Sequence, residues 1–434
     1  MKRVSLLLVT ALICTFGHSN AGQALDATET RILEIIESQS DEAVAFLTRA
    51  VDINSGTLNP DGVREVGKLY IEAFDQIGFD TSLIEQPEEL QRGPHFFAER
   101  DGSQGKRILL IGHLDTVFEA DSPFQNMRID GDKAYGPGVE DMKGGNNTIL
   151  FALKALHEAG ALDDTRIIVA FTGDEEYPGR PLDISRRDLI EAGKRADIAL
   201  GFEAGVREMR IATIARRGSS GWLLEVKAKP AHSSGIFKPG YGAGAIFEAS
   251  RILNAFYAQL RGEEYLTFNP GSIVGGTETS YDRQESRGTA FGKSNVIAET
   301  AMVDGDLRFI SEEQKQRTRE TMSAIVALSL PETEAKITFF DGYPAMEPTE
   351  ANIALMETLG EVLEDLGMGR VESLDPSERG AADISFVAAD VDAGLAGMGP
   401  VGWGGHTVDE GIHLPTLADA TKKTAILIYR LTRP

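Results

Sequence analysis

The chain has 434 residues, 42% of them hydrophobic, and a formal net charge of −24 from 67 acidic and 43 basic side chains. So acidic a chain repels phosphate backbones and anionic lipid headgroups, which excludes nucleic acid and membrane surfaces as expected partners. Its length exceeds the ~250–300 residues at which single hydrophobic cores stop growing, so two or three domains are expected.

The first 24 residues read as a segment apart. Lys2 and Arg3 precede an apolar run from Val4 to Phe16, and Ser19-Asn20-Ala21 or Gly22-Gln23-Ala24 supplies small residues for cleavage. This is the layout of a secretory signal peptide, and the run falls short of the ~20 residues that span a bilayer. The expectation is an exported protein, periplasmic or secreted, soluble once processed. Cys14, the only cysteine, lies inside this segment, so neither a disulfide nor thiolate catalysis is expected afterwards.

From Asp26 to Ala204 helical and strand signals alternate. Asp26 with Glu29 forms a capping-box pattern ahead of a helical period over Ala27 to Val51, with a possible break at Ser38-Gln39-Ser40. A second amphipathic stretch covers Lys68 to Phe79. Three apolar runs, Arg107 to Ile111, Arg166 to Phe171 and Asp197 to Phe202, predict strands, with a helix over Asn147 to Ala159 between the first two. Strands alternating with helices imply an α/β domain with a mostly parallel sheet, whose ligands bind beyond the carboxyl ends of the strands.

The middle of the chain changes character. Trp222 to Lys229 and Val296 to Phe309 alternate apolar and polar, and helices are expected over Gly244 to Leu260 and Ser311 to Leu328. That is the pattern of a small α+β unit with an antiparallel sheet. The reading is one catalytic domain in two pieces, 25–217 and 339–434, interrupted by an inserted domain over 218–338.

Chemistry concentrates at the strand ends. IGHLDTV places His113 and Asp115 after the first run, FTGDEE places Asp174, Glu175 and Glu176 after the second, and GFEAG places Glu203 after the third. Asp141, in YGPGVEDMKGG, precedes a helix. A single acid at a strand end is an ordinary solvated side chain; several converging on one sheet edge repel one another without a cation. Histidine with carboxylate suits Zn²⁺, and a bridging carboxylate permits two ions. Asp115, two residues from His113 on an extended segment, points the same way and can orient its imidazole. Adjacent Glu175 and Glu176 cannot easily aim at one spot, so one can bind metal while the other takes a proton from water.

GHLDTV, GPGVEDMKGG, TGDEE, GFEAG and the late GMGPVGWGGHTVDE, in that order along nearly the whole processed chain, resemble the glutamate carboxypeptidase/aminoacylase family of two-zinc metallopeptidases, which includes acetylornithine deacetylase and succinyl-diaminopimelate desuccinylase. The resemblance implies that His113 and Glu203 hold one zinc ion, that Glu176 and His406 hold the other, and that Asp141 bridges them. It makes Glu175 the general base and Asp115 the aspartate behind His113. In the inserted lid, it implies that His232 reaches a partner subunit's site to help hold the oxyanion, that Arg308 grips a substrate carboxylate, and that Asn295 lies near the substrate. A homodimer through the inserted domain follows from the same resemblance.

The implied activity is hydrolysis of a peptide or amide bond next to a free carboxylate, by a carboxypeptidase or dipeptidase acting on a small peptide. An N-acyl-amino-acid deacylase is the alternative, and a non-catalytic binding protein on the same fold a more distant one. The same ligands accept Co²⁺ or Mn²⁺. Arg216-Arg217 read as a solvated strand start and His413 as structural. His95 and His157 lie outside the motifs, Ser219-Ser220 and Ser233-Ser234 lack a GxSxG elbow, and the glycine cluster Gly240 to Gly244 has no strand directly before it, as a dinucleotide site needs.

Overall fold

The computed structural model describes residues 25–433, so the signal-peptide reading over 1–24 lies outside the described residues. The three apolar runs become the strands Gln104–His113, Thr165–Thr172 and Ile198–Gly201. Both faces of these strands are covered. Ile108, Leu110, Ile167 and Val169 belong to one core, while Leu109, Ile111, Ile168 and Ala170 belong to another on the opposite face. Burial on both faces explains why the runs are continuously apolar rather than alternating.

The sheet has six strands in the order Asp80–Ile84, His95–Asp101, Thr165–Thr172, Gln104–His113, Ile198–Gly201, Ala393–Leu395. Only His95–Asp101 runs against the rest. The expected mostly parallel sheet therefore carries one reversed strand. The short, polar strand Asp80–Ile84 and the charged end of His95–Asp101 had offered no apolar run to read.

The capping box at Asp26 and Glu29 forms, and the break after Ser38 divides the first helical stretch into Ala27–Ser38 and Ser40–Val51. The next helix begins at Pro60 rather than Lys68, because the Asn59 side chain accepts from the Gly62 N–H and proline suits the first turn. The helix Gly144–Glu158 opens on a glycine pair. A Cβ on Gly145 would lie 1.8 Å from the carbonyl oxygen of Phe202, so glycine alone lets this helix abut the strand end. That approach brings Asp141 to the carboxyl edge of the sheet.

The last helix, Leu414–Leu431, packs on Gly144–Glu158 and buries Lys423 completely. Burial pushes the Lys423 amine down to about 8, against the partly offsetting charge of Asp419. Between that value and the ordinary ~10.5 the unfolded chain binds a proton that the folded chain has released, so stability rises with pH across this window. Lys423→Met should stabilise the protein at pH 7 by on the order of 3 kcal/mol, with the gain fading towards pH 10.5. Melting curves at the two pH values check this, and a variant no more stable than wild type at pH 7 would contradict it. Among the described residues no helix is long and apolar enough to cross a membrane.

The inserted unit is a four-stranded antiparallel sheet in the order Thr267–Gly276, Thr300–Phe309, Gly218–Ala228, Thr333–Asp341. Trp222, Leu224, Val226, Ala301, Val303 and Leu307 form a core with the helices Ala245–Leu260 and Glu312–Val326 on one face. Ser219, Asp306 and Arg308 fall on the other. The fourth strand, Thr333–Asp341, was absent from the sequence reading, and 339–341 lie in this sheet rather than in the returning segment.

Candidate metal centre and active site

His113 closes its strand with 2% of its side chain exposed. Its Nδ1 lies 3.1 Å from the Asp115 carbonyl oxygen and 3.4 Å from the Asp115 carboxylate, which turns Nε2 towards Asp141. Asp115 is fully buried. Its carboxylate accepts the backbone N–H groups of Glu175 and Glu176 at 2.9 and 3.1 Å and the Thr57 hydroxyl at 2.6 Å. One aspartate thus sets both the imidazole plane and the loop that carries the two glutamates.

Asp141 sits on the irregular turn Val139–Lys143, where its N–H and that of Glu140 both donate to the buried Glu410 carboxylate, at 3.1 and 2.8 Å. Its two oxygens face different histidines. Oδ1 is 3.2 Å from His113 Nε2, and Oδ2 is 3.2 Å from His406 Nε2. His406 Nε2 is also 3.1 Å from Glu176 Oε2. His406 reaches the cluster from a loop in which Gly404 and His406 both adopt positive φ, of 75° and 65°. A Cβ on Gly402 would stand 2.8 Å from the backbone carbonyl oxygen of Gly411, so glycine permits the close approach of these strands at the base of the loop.

Ligand atoms of His113, Asp141 and Glu176 lie within 4.8 Å of one another. Glu203 lines the same small cavity as His113, but Arg216 and Arg379 hold its carboxylate at 2.7 and 3.4 Å. These contacts fall on Oε2. The residues fit divalent cations. Glu176 Oε1 is buried without a hydrogen-bond donor. Burial pushes Glu176 and Glu140 up to about 7 and, with the charge of Asp383, lifts Glu175 well above the usual carboxylate range. Hydrogen bonds from His113 and His406 overcome burial at Asp141 and hold its carboxyl well below that range. The pocket carries more negative charge than its side chains neutralise, and histidine with carboxylate is a zinc-type donor set.

The three consecutive acids have separate fates. Glu176 joins the cluster and Glu175 sits beside it. Asp174 turns away into a buried ion pair with Arg186 at 2.6 Å, and Arg186 also pairs with Asp383 at 2.7 Å. Nothing local marked Arg186 or Asp383, which lie 197 residues apart. Tyr343, Glu410, Thr57 and Arg379 were missed in the same way, although Glu410 lies within a motif that had been singled out.

Arg216 is a correction: it is 4% exposed and bound to Glu203, not a solvated strand start. His95 is structural, its Nε2 2.8 Å from the Ser185 carbonyl oxygen and its Nδ1 accepting from Gly173 N–H. His157 is exposed on its helix, and His413 packs against Trp403 with the rings tilted at 56° and their centroids 4.7 Å apart.

Among the lid residues, none joins the cluster within this chain. His232 is exposed and bonded to Ser234, and the Asn295 carbonyl accepts from Ser233 N–H beside it. Arg308 pairs with Asp306 at 2.8 Å. It lines a cleft of about 580 Å³ between the lid sheet and the loop after Glu176, together with Arg92, Arg180 and Arg283.

A model of peptidase family M20/M25/M40 matches residues 109–430. The chain is 28% identical over 418 residues to carboxypeptidase G2 from Pseudomonas sp. (strain RS-16), covering 93% of this chain and 91% of that protein. It is 27% identical over 368 residues to succinyl-diaminopimelate desuccinylase from Gluconobacter oxydans (strain 621H), covering 82% and 89%. The solved structure of aminopeptidase PepT from Bacillus cereus ATCC 10987 superposes with a TM-score of 0.71 at 16% identity, over 91% of this chain and 99% of that one. The M20 family metallo-carboxypeptidase Sso-CP2 from Sulfolobus solfataricus gives 0.64 at 17%, over 90% and 99%. At such identities the structural likeness speaks for the fold, and the family match spans most of the chain, including every residue of the cluster. The chain belongs to peptidase family M20/M25/M40 and is a metallohydrolase.

Proposed function

We propose that this protein is an exported two-zinc carboxypeptidase or dipeptidase that cleaves the amide bond next to a free carboxylate. The observation that carries the two-metal reading is the pair of imidazoles on opposite oxygens of Asp141, with Glu176 on the His406 side. His113 and Glu203 would hold one cation and Glu176 and His406 the other, with Asp141 shared. Bound there, the cations polarise the scissile carbonyl and lower the pKa of a water molecule.

The chain's own groups do the rest. Glu175 takes the proton from the attacking water and returns it to the leaving amine. Asp115 keeps His113 in the tautomer and orientation that present Nε2. Arg308 offers a planar fork for the substrate carboxylate in the interdomain cleft, with three further arginines lining the same space. Asn295 lies near the substrate when the lid of a neighbouring copy is in place, and His232 helps hold the oxyanion there. Ile246 and Phe247 on the lid helix Ala245–Leu260 and Ile273 on the edge strand Thr267–Gly276 are exposed, which supports a homodimer through this unit. Succinyl-diaminopimelate desuccinylase, similar over most of both chains, keeps an N-acyl-amino-acid deacylase as the second reading.

A screen of dipeptides and N-acyl amino acids against the zinc-loaded full chain decides between them. Turnover of dipeptides above acyl substrates is expected, and the reverse preference establishes the deacylase. Metal analysis of protein purified without chelator should find two ions per chain; a single ion would overturn the two-metal mechanism.

A further inference from the structure

The two connectors between catalytic domain and lid run side by side. Arg216 and Met346 exchange both backbone hydrogen bonds at 2.9 Å, and Ser219 N–H donates to the Tyr343 carbonyl at 2.9 Å. Tyr343 therefore belongs to the hinge, just past the end of the lid strand Thr333–Asp341. Its side chain leaves the hinge. The hydroxyl donates to the backbone carbonyl of Glu175 at 2.9 Å and accepts from Arg186 Nη2 at 2.9 Å, while the ring packs edge-on against Phe386 at 4.8 Å.

Arg186 cannot drift, because Asp174 and Asp383 hold it with none of its surface exposed. The peptide groups of Glu175 are thus pinned from two directions. Asp115, which orients His113, takes the N–H; Tyr343, which belongs to the lid hinge, holds the carbonyl. We infer that Tyr343 is a positioning residue that ties the attitude of the lid to the placement of Glu175, an inference that rests on the reading of Glu175 as the base. Rotation of the lid about its paired connectors pulls the Tyr343 backbone against a hydroxyl that Arg186 holds in place, so the bond from that hydroxyl to the Glu175 carbonyl is loosened or kept according to the lid's attitude. A misplacement of about 1 Å at a reacting group costs on the order of 10²-fold in rate.

Tyr343→Phe removes the hydroxyl and keeps the ring against Phe386. In the zinc-loaded full chain, kcat should fall between about tenfold and 10²-fold, with KM within about threefold and metal content at the wild-type level. A kcat within about twofold of wild type overturns the inference, and so does a loss of kcat that merely follows loss of bound metal. Amide hydrogen exchange reads the same tie without any substrate. Exchange over 173–177 should quicken in Tyr343→Phe while the strand Gln104–His113 stays protected, and unchanged exchange overturns the inference. Absence of turnover in the wild type would count against the peptidase reading, and the exchange result would still judge the link.

Discussion

Replacing Glu175 with glutamine is expected to lower kcat by about 10²–10⁴-fold, with two metal ions retained and KM little changed. Glutamine preserves the volume of the side chain, the backbone N–H bond to Asp115 and the backbone carbonyl bond from Tyr343. What disappears is the proton acceptor beside the cluster. Glu175 contributes no atom to the His113, Asp141 and Glu176 group, so metal content separates loss of the base from loss of the site. Steady-state kinetics on the best substrate of the screen, with metal analysis of the same preparation, provide the check. Equal turnover by variant and wild type would remove Glu175 from the mechanism.

The second large effect concerns stability. Arg186→Met should cost about 3–5 kcal/mol, because it leaves Asp174 and Asp383 as buried charges without their common partner. Asp174 would retain Ser185 Oγ and Gly179 N–H, both at 2.8 Å, and Asp383 would retain Thr172 Oγ1. Those neutral donors do not replace a guanidinium that serves both acids. Urea denaturation at pH 7 measures the size of the loss. A midpoint unchanged at pH 7 would show that the Asp174–Arg186–Asp383 network is dispensable for folding. The network underlies the loop of Glu175, so the variant that does fold should also lose activity.

Much of the site was legible because its residues fall at short range from strong local patterns. His113, Glu175, Glu176 and Glu203 follow continuous apolar runs, and Asp141 precedes a helix opened by a glycine pair, so strand ends alone pointed to one sheet edge. His406 was legible only through its motif, because it reaches Asp141 from 265 residues away on a loop without helical or strand periodicity. Glu203 shows the other limit. Its place in the sequence implied a ligand, whereas its capture by Arg216 and Arg379 depends on residues from separate segments.

By itself, the sequence determined that strands alternate with helices around an acidic and histidine-bearing edge, and that a smaller alternating unit interrupts them. Both are written in hydrophobic period and short-range spacing, which the backbone reads locally. Tertiary structure decided which oxygen of Asp141 meets which imidazole, why Asp174 turns inward while Glu176 does not, and how Tyr343 of the lid hinge comes to rest on Glu175. Each of these is set by the packing of layers remote in sequence. Only when the sheet, its helices and the lid connectors are stacked do the burial and the partners of these polar groups exist.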